Sequence, residues 1–236
     1  MRIERIGNAT LYLGDCLTVL PEIRADVVIT DPPYGISFFH SGKGGGSGPS
    51  TLERGTRPPK TKFAGREAMT HGDDKPFDPA PLLALGLPMI LWGANHYASR
   101  LPDSGGWIVW DKRTFGAERI NSFSDAELAW CSYGKAVRTF RHVWMGGIRA
   151  GEECGGMGSD YKREHPAQKP ERLMRFCIEH LGEGGSVLDP YMGSGTTGVA
   201  AAKLGRSFIG VEIEPKFFDI ACERIENAQR QERLFA

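Results

Sequence analysis

Asp31-Pro32-Pro33-Tyr34 groups hydrogen-bond acceptors beside a flat aromatic ring. An ionised Asp only accepts, and a proline offers a carbonyl with no N–H of its own to compete for it. Tyr34 adds a face on which a planar ring can stack. The combination suits an exocyclic amino group on a base, which brings two N–H donors and a ring. The same residues would also serve as a strand-end turn with an Asp cap. A second stretch bears on the choice. Gly193, Gly195 and Gly198 form a G-x-G-x-x-G pattern inside Asp189-Pro190-Tyr191-Met192-Gly193-Ser194-Gly195-Thr196-Thr197-Gly198, and Glu212 follows Gly193 by 19 positions. An acid at that distance accepts hydrogen bonds from ribose hydroxyls, while the turn backs a nucleoside cofactor. A tight glycine turn without a ligand is the plain alternative.

These residues need elements that aim them. Val27-Val28-Ile29-Thr30 is a β-branched run stopping at Asp31, which reads as a buried strand ending in a rigid loop. Upstream, Thr10–Leu13 reads as a strand closed by Gly14-Asp15. A short helix through Leu17 and Leu20 then leads to a strand over Ala25–Thr30. In a parallel β-α-β unit, Asp15 and Asp31 both stand at carboxyl ends of strands, where ligands of open α/β sheets bind. Downstream, Ser186–Asp189 is a strand and Thr196–Leu204 an Ala-rich helix. Phe208–Val211 is a strand closing on Glu212, and a helix starts near Pro215. Between these ends lie a short helix at Leu82–Leu85, strands at Pro88–Trp92 and Gly106–Trp110, and a helix over Lys169–Leu181. Glu127–Cys131 and Val137–Trp144 are spaced as an antiparallel hairpin. His96 reads as a loop or cap residue. The expected fold is α/β: a Rossmann-like, mostly parallel sheet with helices on both faces and an antiparallel hairpin at one edge.

The chain has 236 residues, suited to a single domain over 1–236. Acidic and basic residues balance at 29 each, so no overall field announces a nucleic-acid partner. Five scattered cysteines without a C-x-x-C pair read as reduced thiols, and no metal is expected. No apolar run approaches the ~20 residues that span a bilayer, and no leader precedes the first strand. A soluble, cytoplasmic protein is expected. Local charge is less even. Residues 36–66 open with a glycine-rich, linker-like run, Ser41–Gly48, and carry six basic residues against the single acid Glu53. A loop of that length inside a domain is functional or disordered. Residues 145–164 are Gly-rich and polar and read as a second loop.

A nicotinamide dehydrogenase is the obvious rival for the glycine motif. Too little chain follows Gly198 for the remaining strands of a dinucleotide half-domain, so the missing strands must lie upstream, with Asp31 among them. One sheet built from both halves sets the amino-group pocket beside the nucleoside site.

With both motifs in this order, the chain resembles the amino-directed DNA methyltransferases that use S-adenosylmethionine, in their circularly permuted (β) motif order. There the Asp-Pro-Pro-Tyr precedes a Phe-x-Gly-x-Gly cofactor motif. Here that motif reads Tyr191-Met192-Gly193-Ser194-Gly195, a Tyr-for-Phe change that keeps the aromatic wall. The segment His165-Pro166-Ala167-Gln168-Lys169-Pro170 is similar to the family's segment ahead of the cofactor motif, whose Lys meets the methionine carboxylate. Gly14-Asp15 resembles the adenine-side contact and Glu212 the ribose acid. The resemblance implies a cofactor set of Asp15, Asp31, His165, Lys169, Asp189, Tyr191, Gly193, Gly195, Thr196, Thr197, Glu212 and Ile213. It implies catalysis by Asp31, Pro32, Pro33 and Tyr34.

The implied substrate is a base flipped from double-stranded DNA. Asp at the first motif position goes with adenine N6 in that family and Ser with cytosine N4, so adenine is expected. The N4-cytosine enzyme, a catalytically silent partner subunit and a protein glutamine-amide methyltransferase are the alternatives. The chain lacks the sizeable insert that family members often carry between Trp144 and His165. Contact with DNA is therefore expected from Lys43, Arg54, Arg57, Lys60 and Lys62 in the first loop and Arg149, Lys162 and Arg163 in the second. So small a reading surface implies a short or relaxed site, or a homodimer on the duplex, which is the favoured expectation.

Overall fold

The computed structural model describes residues 1–36, 71–113, 124–145, 148–149, 168–182 and 184–235. Lys43, Arg54, Arg57, Lys60, Lys62, Lys162, Arg163 and His165 lie outside these, and of Arg149 only the backbone is described.

The chain begins with two strands, β1 (Arg2–Ile6) and β2 (Ala9–Leu13), then a one-turn helix α1 (Cys16–Val19) and β3 (Val27–Thr30). Helix α2 (Ala80–Leu83) leads to β4 (Met89–Trp92), followed by β5 (Gly106–Asp111), β6 (Ala126–Cys131) and β7 (Val137–Arg141). Two-residue strands β8 (Trp144–Met145) and β9 (Ile148–Arg149) come next. The last elements are α3 (Glu171–His180), β10 (Ser186–Asp189), α4 (Thr196–Lys203), β11 (Ser207–Glu212) and α5 (Pro215–Phe235).

Nine strands form one sheet in the order β1-β2-β11-β10-β3-β4-β6-β5-β7. The run from β2 to β4 is parallel throughout. The expected α/β architecture is what the chain adopts. Side chains alternate across the sheet with the strand period of two. Val27, Ile29, Val187 and Phe208 join one core with Leu173, Cys177, Val199, Phe218 and Ile225 from α3, α4 and α5. Val28, Leu188, Met89 and Leu91 face the other core, with Cys16 and Val19 of α1 and Leu82 of α2. Burial of a side chain such as Phe218 or Ile225 contributes roughly 1.5–3 kcal/mol, so these positions fix which face each helix covers.

An edge hairpin is present, but β1 and β2 make it, through register Ile6↔Ala9. The segments expected to pair, β6 and β7, run in opposite senses and are not neighbours. β5 lies between them, antiparallel to β6 and parallel to β7. The connection after Cys131 passes the start of β5, where a side chain on Gly106 would meet the Tyr133 carbonyl oxygen at 2.5 Å. That glycine lets the chain cross to the far side of β5 instead of turning back on β6. Val137–Trp144 is also not one strand: it breaks after Arg141, and Trp144–Met145 pairs antiparallel with Ile148–Arg149 inside the stretch read as loop.

The sheet has a topological switch point between β10 and β3. From β10 the chain moves outward through α4 to β11, and from β3 it moves the other way through α2 to β4. Crevices outside the carboxyl ends of strands at such a point are where ligands bind.

Candidate active site

Asp31 and Asp189 leave neighbouring strands at the switch point, and the strands are tied there by a side-chain bond. The Thr30 hydroxyl donates to Asp189 Oδ1 at 2.6 Å, and the Thr197 hydroxyl donates to Oδ2 at 2.6 Å. The Tyr191 amide adds a third bond at 3.2 Å. Asp189, Thr196 and Thr197 are all buried. Burial pushes the Asp189 carboxyl up to about 6, against the hydrogen bonds that favour its anion. The structure thus turns Asp189 and Thr197 inward, where they brace the glycine turn. Thr196 is likewise engaged, accepting from Arg224 at 3.2 Å.

The turn itself is held from the next strand. Gly193 donates its amide to Glu212 Oε2 at 2.9 Å, and Glu214 donates to Oε1 at 2.8 Å. Gly195 stands at the N-cap of α4. Burial raises the Glu212 carboxyl above its usual range. On the far side of β11, the Gly14 amide donates to the Glu212 carbonyl at 2.9 Å, which places Gly14-Asp15 beside Glu212. Asp15 caps α1 by accepting from the Leu17 amide at 2.9 Å. Ile213 is exposed at 38%. Tyr191 packs edge-on to Phe77, with centroids 5.8 Å apart. Two acids at adjacent strand ends, a glycine turn between Glu212 and α4, and an aromatic wall fit a nucleoside with a ribose. Each acid retains acceptor capacity beyond the bonds named here.

The Asp-Pro-Pro-Tyr loop is clamped at its far end. Asp73 accepts from the amides of Gly35 at 2.8 Å and Ile36 at 3.3 Å. Gly35 has φ +76°, and a Cβ there would meet the Lys75 carbonyl oxygen at 2.3 Å, so only glycine fits. Gly93 plays the same part beneath the tyrosine: its φ is +70°, and a Cβ would collide with the Tyr34 ring at 2.0 Å. His96, expected to be a loop residue, stacks on Tyr34 with centroids 5.1 Å apart and planes 15° apart.

Asp31 itself sits in a charged network that was not visible in the motif. Tyr34 donates its hydroxyl to Asp31 Oδ1, and Lys169 Nζ bonds Asp31 Oδ2. Lys169 also reaches the Tyr34 hydroxyl at 3.1 Å and Glu127 Oε2 at 3.1 Å. Lys112 Nζ holds Glu127 Oε1 at 3.1 Å. Burial pushes the Asp31 carboxyl up, and Lys169 opposes it. Burial would lower Lys169, but Asp31 and Glu127 hold it well above the ordinary lysine value. Glu127 is kept below its usual range because Lys169 and Lys112 outweigh its burial. Burial, with Asp31 alongside, raises Tyr34 well above the usual phenol range.

The structure therefore brings together Asp31, Pro32, Pro33 and Tyr34 with Lys169 at one strand end. It sets Asp15, Asp189, Tyr191, Gly193, Gly195, Thr196, Thr197, Glu212 and Ile213 along the adjacent ends. Glu127, Lys112 and His96 are the members that sequence reasoning missed. No motif marks them, because sheet order alone carries β6 to the side of β4.

The sequence matches the N6_N4_Mtase family, DNA methylase, over residues 89–223. That span runs from β4 into α5 and begins after Asp31. The chain is 40% identical over 90 residues to the type II methyltransferase M2.DpnII of Streptococcus pneumoniae, covering 38% of this chain and 31% of the relative. It is 38% identical over 90 residues to M2.LlaDCHI of Lactococcus lactis subsp. cremoris, with 37% and 31% covered. The match thus spans about a third of the length of these relatives. Among solved structures, the M1.HpyAVI–SAM complex is similar with a TM-score of 0.51 and 26% identity, covering 92% of this chain and 99% of that one. PvuII DNA methyltransferase, cytosine-N4-specific, shares the fold with a TM-score of 0.54 at 15% identity, covering 96% and 93%.

Proposed function

This chain belongs to the DNA methylase family, and from that premise we propose that it transfers a methyl group from S-adenosylmethionine to the N6 amino group of adenine in double-stranded DNA. One observation carries the reading: the acceptor Asp31 and the glycine turn below Glu212 leave neighbouring strands of one switch point, tied by the Thr30–Asp189 bond. An amine held at the first lies next to a nucleoside held at the second. The structural similarity to the M1.HpyAVI–SAM complex supports the cofactor.

S-adenosylmethionine, bound, supplies an electrophilic sulfonium methyl. Glu212 and Asp15 would accept from its hydroxyl and amino groups, and Tyr191 would wall the nucleoside. The substrate amine donates to Asp31 and to the Pro32 carbonyl, which localises its lone pair toward the incoming methyl. Tyr34 supports the ring of the base in His96's place. Positioning and electrostatics supply most of the rate. The amine proton becomes acidic only as the methyl arrives. Asp31, whose carboxyl burial has raised, then takes it.

The basic residues Lys43, Arg54, Arg57, Lys60, Lys62, Arg149, Lys162 and Arg163 serve as phosphate and base-edge contacts. A homodimer holds the duplex in the cytoplasm. The second reading is transfer to cytosine N4, which the matched N6_N4_Mtase family keeps beside N6. Sequencing DNA from cells that express the chain, with a readout of modified bases, separates the two. Modified adenine at one short motif supports the proposal, and modified cytosine alone replaces it with the second reading.

A further inference from the structure

We propose that Glu127 is a positioning residue for the amino-group pocket: it gives the Lys169 ammonium a second carboxylate, so that Asp31 can turn to a substrate amine while the buried cation keeps a counter-charge. The proposal rests on the reading of Asp31 as the acceptor of that amine.

The geometry follows from sheet order. β6 runs antiparallel to β4, so its first residues arrive at the edge of the sheet where β3 and β4 end. Glu127, second in β6, is thereby delivered to Lys169, with its Oε2 3.1 Å from Nζ; Asp31 is the other carboxylate paired with Lys169 among the described residues. The Lys169 side chain is 9% exposed; its ammonium bonds Asp31 and the Tyr34 hydroxyl and pairs with Glu127 Oε2 at 3.1 Å. Both Asp31 oxygens are engaged, one by Tyr34 and one by Lys169. An amine that docks on Asp31 must displace one of these partners.

A buried ammonium stripped of its counter-charge is costly. With Asp31 its sole carboxylate, Lys169 would resist the exchange. Glu127 changes that balance, because Lys169 can yield Asp31 Oδ2 and remain paired. Lys112 completes the device from the outside. It bonds the other Glu127 oxygen at 3.1 Å and lies 5.7 Å above the Trp110 ring, which leaves Oε2 directed at Lys169. Two ammonium groups and two carboxylates, Lys112, Glu127, Lys169 and Asp31, close the chain at zero net charge. A hydrogen bond gained by the amine therefore requires no net charge to be buried.

The test has two readouts. The first needs neither DNA nor cofactor: the 13Cε resonance of Lys169, assigned by its loss in Lys169→Arg, is followed against pH. Glu127→Gln should move the Lys169 titration to lower pH than in the wild-type chain. The second is steady-state methyl transfer to a duplex. Glu127→Gln should lower kcat/KM for DNA by about tenfold or more while S-adenosylmethionine affinity stays within about twofold. Glu127→Asp should recover part of the loss. Should Glu127→Gln fail to fold, Lys112→Gln should show both effects in the same direction and smaller. An unshifted Lys169 titration overturns the proposal, as does a shift with transfer unimpaired. A loss of cofactor affinity that matches the loss of transfer overturns it too, since that marks a structural role alone. A wild-type chain that methylates no base at all sinks the functional reading beneath it, whatever the titration shows.

Discussion

The Thr30 hydroxyl donates to the buried Asp189 carboxylate across 2.6 Å, joining the strand that carries Asp-Pro-Pro-Tyr to the strand that carries the glycine turn. It ties the carboxyl ends of β3 and β10, while Ser186 bonds Asp26 at their opposite ends. Thr30→Val keeps the shape and removes the donor, so Asp189 Oδ1 loses its 2.6 Å bond and keeps the longer one from the Tyr191 amide. We expect a loss of about 1–3 kcal/mol in unfolding free energy, read by urea denaturation. A loss below a few tenths would mean that the bond does not hold the strands.

Asp189 should also mark the pH dependence of stability. Its folded carboxyl is raised to about 6, above the unfolded value of 3.8. Between those values the folded chain binds the proton more tightly, so this group favours folding at low pH and loses that contribution as pH rises through about 6. Asp189→Asn should remove the contribution. Unfolding measured from pH 4 to pH 7 should then fall less steeply with pH in the variant than in the wild-type chain.

Gly35→Ala tests the clamp on the Asp-Pro-Pro-Tyr loop. The left-handed backbone and the 2.3 Å approach of the Lys75 carbonyl leave no room for a methyl group. The loop must shift, at a cost of about 1–3 kcal/mol. Methyl transfer should fall at least as far as stability does, while S-adenosylmethionine affinity, read by calorimetry, stays near wild type. Equal activity in the variant would show that the loop tolerates movement.

Glu212→Ala should weaken S-adenosylmethionine binding by about tenfold or more, near 1.4 kcal/mol, because the carboxylate fixes the Gly193 amide and is proposed to accept from the ribose. NADH should give no heat of binding to the wild-type chain. Measurable NADH binding would restore the dehydrogenase reading.

The parts of this site that were legible in the sequence are those built locally. A β-branched run ending in Asp31 and a strand ending at Asp189 announce themselves by pattern. So does the interval from Gly193 to Glu212, since one helix and one strand fix it. What escaped depends on contacts distant in the chain. β1 has exposed positions throughout its alternation and no buried stripe to mark it. β6 and β7 have hairpin spacing, yet β5 inserts between them, and no local signal says so. The Gly146-Gly147 pair between Met145 and Ile148 was a hairpin signal that the polar run beyond it masked. Glu127 looks like any acid at a strand start until sheet order brings it within 3.1 Å of Lys169. The stack of His96 on Tyr34 likewise needs Gly93 beneath the ring.

In the proposed reaction Asp31 receives an adenine amine beside a bound methyl donor. The purified chain, a mixed-sequence duplex and methyl-labelled S-adenosylmethionine test it most directly, with the DNA digested to nucleosides and analysed by mass spectrometry. Label should appear in N6-methyladenine with the wild-type chain and not with Asp31→Ala, whose S-adenosylmethionine affinity should remain within about tenfold of wild type. Label in N4-methylcytosine, or transfer that survives Asp31→Ala, would contradict it.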